Sequence, residues 1–218
     1  AATDGRTAVV VSGREAKAIQ QGRNKLLASI RSRIDRAKPG SRRHKRLQRR
    51  KRQHLGKCAR RMRDLVHKAT RIVASAFPRA RAVVGEAFND AARKMGRRQA
   101  QQVSQAANGR ATRQLGYKMA GGAKTVVESY SSQTCPVCGR RQKCRRVYRC
   151  GGCGLIAPRD VVGSSNIRAI GMYGEMRTQQ PVPTVIRFVR PLRKYPGRPH
   201  GPPGSSGGTP ARSSEVAA

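Results

Sequence analysis

The period of apolar positions changes several times along this chain. Residues 7–12, TAVVVS, form a short apolar run behind the turn signal Thr3-Asp4-Gly5 and predict a strand. Its hairpin partner is expected ahead of Ala1, because so little chain precedes it. Ser12-x-x-Glu15 has the form of a capping box, and Ile19, Leu26, Ile30 and Ile34 then recur on one helical face. Pro39-Gly40 interrupts that period. A second helix is predicted from near Ser41 to about Ala76, where Leu55, Cys58, Met62, Leu65, Ala69, Ile72 and Ala76 return every three or four residues. Two long amphipathic helices joined by a Pro-Gly turn predict an antiparallel hairpin over 14–77.

Beyond Phe77-Pro78 the run ARAVVGE (80–86) predicts a short strand ending in a carboxylate. Residues 90–116 are polar and rich in Arg and Gln, closing in a helical segment with Leu115, Tyr117 and Met119 expected to face inward. Gly121-Gly122 breaks it, and KTVVES (124–129) predicts another strand. A short helix opened by Asp160 is expected over 161–170. Residues 176–218, which turn to Pro, Gly, Ser and Arg without periodicity, are expected to form a disordered basic tail. Strand, helical hairpin, strand, helix, strand, cysteine-rich insertion and helix make an α/β domain.

Charge narrows the partner. The 218 residues include 48 Lys and Arg against 10 Asp and Glu, a net charge of +38. So large an excess of one sign repels itself in a compact fold and implies a polyanionic partner, DNA or RNA. The densest block is RRHKRLQRRKR at the hairpin tip, where Arg42, Arg43, Lys45, Arg46, Arg49, Arg50, Lys51 and Arg52 have no acid nearby. They are assigned to phosphate contact. Aromatic residues are only 4% of the chain, with no Trp, which argues against rows of stacked aromatics as the binding device. No apolar run is long enough to cross a bilayer, so no membrane partner is expected.

Four of the six cysteines form two like pairs, Cys135-Pro-Val-Cys138 and Cys150-Gly-Gly-Cys153. Paired C-x2-C turns supply the soft tetrahedral donor set of structural Zn2+, and the glycine after each pair (Gly139, Gly154) allows the positive φ such turns need. Disulfides would need export, and nothing here resembles a signal peptide. A redox dithiol normally stands alone. Cys135, Cys138, Cys150 and Cys153 are therefore the predicted zinc ligands of a ribbon over 131–157, with Cys144 a spare thiol. A site closed by four thiolates holds structure in place and performs no chemistry.

The scarce acids sort by context. Asp35 and Asp64 sit within one turn of basic residues as ordinary ion-pair partners, and Asp4 lies in a turn. Glu86, Asp90, Glu128 and Asp160 remain, near strand ends or a helix start. Carboxylates so placed suit two Mg2+ ions in phosphodiester cleavage. A strand-edge charge for Glu86 and a helix N-cap for Asp160 explain the same residues, and the residues alone leave both readings open.

Several motifs resemble the carboxy-terminal half of the TnpB (OrfB) proteins of bacterial and archaeal insertion sequences. They are SGRE at 12–15, the block from Ser41 to Arg52, DLVHKATR at 64–71, VVGE at 83–86, LGYKMAGGAKTVVESYSSQTCPVCG at 115–139, and CGGCGLIAPRD with SSNI ending at Ile167. Those proteins are RNA-guided DNA nucleases related to compact type V CRISPR effectors. The resemblance implies an incomplete RNase H-like (RuvC-like) α/β domain over 1–130 and 158–175, with the long basic hairpin and the inserted four-cysteine ribbon. It implies Glu86 and Asp160 as catalytic metal ligands, Glu128 as an outside candidate, Mg2+ as cofactor, and DNA and a guide RNA as partners. The family's first Asp lies on a strand corresponding to residues ahead of Ala1, so the chain is expected to be a partial, uncleaving form. A non-enzymatic zinc-ribbon nucleic-acid-binding protein is the alternative. A cytoplasmic, nucleoid-associated location follows from either.

Overall fold

The computed structural model of the chain describes residues 1–86, 96, 100–101 and 107–191. Asp90 and the Gly/Pro-rich sequence from 192 onward lie outside the described residues. The chain is mixed α/β with three small sheets. Strand β1 (Ala2–Thr3) pairs antiparallel with β2 (Thr7–Val11), Ala2 opposite Val9. The partner expected ahead of Ala1 is therefore already present as a two-residue stub. The intervening turn is built by Asp4, whose Oδ1 accepts from the backbone N–H of Arg6 (2.8 Å) and Thr7 (2.7 Å).

Helix α1 (Arg14–Asp35) and helix α2 (Arg42–Ala76) are joined by a short link and lie side by side, as the periodicity requires. Leu27 and Ile30 of α1 and Leu47, Cys58 and Leu65 of α2 are buried. Ser41 caps α2, its hydroxyl accepting from His44 N–H at 3.1 Å. The capping box expected at Ser12 and Glu15 is not formed. Gly13 takes the cap position of α1 without a side-chain bond, and Ser12 Oγ reaches only Arg14 N–H at 3.4 Å.

The carboxy-terminal half of α2 packs on α3 (Asn108–Lys118) through a polar seam. The buried Thr70 hydroxyl lies 2.8 Å from Gln114 Oε1, and Lys118 Nζ donates to Thr70 Oγ1 (2.6 Å) and to the His67 carbonyl (2.8 Å). Met119 is buried, but Tyr117 is 64% exposed, against the expectation that it faces inward. Residues 115 and 119 share a helical face, whereas 117 points away from both.

Strand β3 (Ala82–Glu86) runs parallel to β4 (Ala123–Val127), Glu86 opposite Val127, with α3 crossing between them. The ribbon hairpin, β5 (Val147–Arg149) and β6 (Ile156–Pro158), leads into α4 (Arg159–Tyr173). Helix α4 touches β1, β2, β3, β4 and the ribbon, so it is the common floor of all three sheets. Close approach is possible because α4 is small where it meets the sheet: a side chain at Gly171 would collide with Val83. Strand β7 (Val185–Val189) adds in parallel to β2, Ala8 opposite Ile186. Within the expected disordered tail this corrects the reading. A five-residue β-branched and aromatic run there finds a free sheet edge, and local composition does not override that pairing.

Gly171→Val should cost about 1–3 kcal/mol through overpacking against Val83. Thermal unfolding of the variant checks this, with Gly171→Ala falling between it and wild type.

Candidate functional site

The ribbon brings the four paired cysteines to one point. Their ligand atoms all lie within 4.8 Å of one another, with Cys135 Sγ 3.6 Å from Cys153 Sγ and Cys138 Sγ 3.4 Å from Cys150 Sγ. Tetrahedral bonds of about 2.3 Å place sulfur atoms about 3.8 Å apart, so the cage fits one four-coordinate metal ion such as zinc. Two like turns build it. Gly139 N–H donates to the Cys135 carbonyl (2.9 Å) and Gly154 N–H to the Cys150 carbonyl (3.1 Å), with both glycines at positive φ (76° and 73°). Without a cation the cage is electrostatically uneven. Burial pushes the Cys135 thiol up to about 12, while backbone N–H groups at Cys153 and Gly152 hold Cys150 down at about 6. A divalent cation removes that conflict by favouring all four thiolates. Cys144 stays outside the cage; its Sγ donates to the Ser132 carbonyl at 3.3 Å.

Beneath the cage, Tyr148 is fully buried and its hydroxyl donates to the Arg140 carbonyl at 3.1 Å. Val162 of α4 joins the same core with Ala157. Asn166, also fully buried on α4, donates from Nδ2 to the carbonyls of Ser131 and Thr134, both at 2.7 Å. The metal cage and the helix bearing Asp160 therefore form one packed unit.

A second feature is a hollow of about 750 Å³ between the two larger sheets. Ala2 and Thr3 of β1 line one side, and the consecutive residues Ala82, Val83, Val84 and Gly85 of β3 line the other. Successive strand residues face opposite ways, so a hollow touched by all four runs along the strand's edge. Among the described residues that edge of β3 has no strand partner, and neither does the outer edge of β1. Three acids, Asp4, Glu128 and Asp160, reach this space together with three arginines, Arg81, Arg159 and Arg168. Asp160 is exposed in the first turn of α4, two residues after the cap position held by Pro158, so it is not the N-cap. The Glu128 side chain lies over Gly85, where an added methyl would strike its carboxylate. Burial raises the Glu128 pKa. The lining ends at Gly85, and Glu86 stands exposed one residue beyond. Among the described residues the four cysteines are the group of three or more His, Cys, Asp or Glu side chains that comes together; Glu86, Glu128 and Asp160 do not form another.

The basic block is presented as the spacing implies. Arg42, Arg43, Lys45, Arg46, Arg49, Arg50 and Arg52 are exposed on the first turns of α2, and Lys51 is half-buried. No acid sits in that first turn, so fixed positive charge adds to the positive end of the helix dipole. Beyond the block α2 carries a single acid, Asp64, which pairs with Lys68 at 2.8 Å. Asn166 was visible in the sequence only as part of the SSNI motif, and its buried bonds to the ribbon appear once separate elements meet.

Two outcomes test this geometry. Purified protein should hold one equivalent of a thiolate-bound metal such as zinc, lost in Cys135→Ser together with the ordered ribbon; elemental analysis and circular dichroism read both. Glu128 has a folded pKa above its unfolded value, so it favours folding only below the unfolded pKa and loses that contribution as pH rises through the folded one. Glu128→Gln should therefore raise Tm at neutral pH and leave it nearly unchanged near pH 4.

Residues 109–167, from α3 through the ribbon to the middle of α4, match the family model described as Cas12f1-like, TNB domain. Among curated proteins none matches the chain. The matched segment contains all four cage cysteines, Glu128 and Asp160, while Glu86 and the basic hairpin fall outside it. No helix among the described residues is long and apolar enough to cross a membrane. Residues 109–167, which hold the four-cysteine cage and the helix start bearing Asp160, are thus similar to the Cas12f1-like TNB domain.

Proposed function

We propose that this chain is a transposon-associated, TnpB-like nucleic-acid-binding protein, a fragment or remnant of an RNA-guided DNA endonuclease with an incomplete RuvC-like domain. The carrying observation is the hollow between β1 and β3. Two sheet edges face a common space of about 750 Å³ with helix α4 against both sheets, which is how one continuous sheet looks when an inner strand is missing. The cage metal is assigned as Zn2+ and its role as structural. Glu86 and Asp160, with Glu128 beside them, are hard oxygen donors of the kind Mg2+ takes. They do not fit a complete two-ion centre as they stand, since no three of them come together among the described residues. A carboxylate delivered on a strand in the hollow would have to complete it. In the intact form, base pairing with a guide RNA would select the target, and the protein would hold the backbone.

Binding follows from the hairpin tip. If all eight basic residues of the Arg42–Arg52 block reach phosphates, log K should fall with log salt with a slope of about −7 on duplex DNA. The specific observation favouring a purely binding role is that same dispersal of carboxylates, and both readings share this interface.

Incubation of the protein with Mg2+, guide RNA and target DNA should give salt-sensitive binding and no cleavage. Replacing Arg46, Arg49 and Arg50 with Gln should weaken binding and make the slope shallower by about one for each phosphate no longer neutralised. Guided cleavage by this chain alone would refute the incompleteness, and salt-independent binding would refute the phosphate interface.

A further inference from the structure

We propose that Tyr130 and Arg141 form a stacking platform for one unpaired base of the bound nucleic acid; the proposal rests on the nucleic-acid reading above and adds to it a specific contact. Tyr130 has φ 61°, the left-handed region that non-glycine residues seldom occupy. Such a conformation persists only where the surroundings impose it, and here they do. The Tyr130 carbonyl accepts from Gln133 N–H (2.9 Å), Thr134 N–H (3.1 Å) and the Thr134 hydroxyl (3.1 Å). Thr134 is in turn held by Asn166 and bridged to Arg141 across the first cysteine turn.

This rigid base serves an outward-facing ring. Tyr130 is 52% exposed, and the Arg141 guanidinium lies 3.4 Å from its ring centroid. A cation on one face leaves the ring ordered and polarised, with surface still open to solvent. Nothing in the apolar core uses it: the ribbon core is filled by Tyr148. An ordered aromatic open to solvent, backed by arginine and set two residues after Glu128 of the hollow, suits the flat face of a nucleobase. Every base has such a face, so the contact would be tolerant of sequence. One platform is also compatible with the scarcity of aromatic residues. Duplex bases are stacked on each other and inaccessible, so the ligand class is single-stranded DNA or RNA, or a frayed duplex end.

Stacking is insensitive to salt, whereas phosphate contact is not. Tyr130→Ala should weaken binding of a single-stranded oligonucleotide by about tenfold or more with an unchanged salt slope, and should leave intact-duplex binding nearly unaltered. Tyr130→Phe should retain most of the affinity. In the wild-type protein, an oligonucleotide carrying 2-aminopurine should show fluorescence quenched on binding, and a halogenated pyrimidine should photocrosslink to the peptide containing Tyr130; neither readout depends on a variant folding. Equal single-strand affinity for Tyr130→Ala, or crosslinks confined to other peptides, overturns the platform while leaving the basic interface standing. Failure of the wild-type chain to bind any nucleic acid overturns the functional reading itself.

Discussion

The buried amide of Asn166 is the bond on which this architecture turns. Its Nδ2 group donates to two carbonyls, of Ser131 and Thr134, at the point where the chain leaves β4 and enters the ribbon. A two-handed contact of this kind, with no exposure to water, fixes both distance and rotation between the ribbon and α4. Everything the helix supports inherits that position: Asp160 in its first turn, Val162 in the ribbon core, and Gly171 against Val83 of β3. The metal cage stiffens the ribbon from above, but Asn166 decides where the stiffened ribbon sits. Loss of the amide would leave two buried carbonyls without partners, a cost of about 1–3 kcal/mol for each.

Long-range order in the sequence was legible where one physical rule governs many residues. Helix α2 declares itself over about six turns of recurring apolar positions from Leu55 to Ala76, and the cysteine cage through two repeats of the same loop. Rules applied to short stretches fared less well. The Leu115, Tyr117 and Met119 spacing is that of a strand face, and read onto a helix it turned Tyr117 the wrong way. Ser12 has capping chemistry, yet Gly13 starts the helix one residue later, so the hydroxyl falls short. Val185–Val189 is a good strand by composition but is flanked by Pro-rich sequence, and only a free edge on β2 reveals it. The hollow was not legible at all. It exists because β1, β3 and α4 converge, and no local pattern encodes a space between elements.

Electrostatics explains why so unbalanced a chain folds. On the hairpin the basic residues lie mainly at exposed positions, and the apolar contacts that hold it together are buried. Repulsion is greatest at the start of α2, where the helix dipole adds to it. On the proposed reading a bound polyanion would offset that repulsion and so stabilise the folded chain by mass action.

The length of α2 has a mechanical consequence. The middle of its basic block lies about 26 residues before Val73, which borders the hollow, so the two are held about 40 Å apart along one uninterrupted rod. A full turn of duplex measures about 34 Å. On the proposed reading a duplex laid along the rod would run a little more than one turn between those points, and adding or removing about eleven residues of helix would turn it to its opposite face.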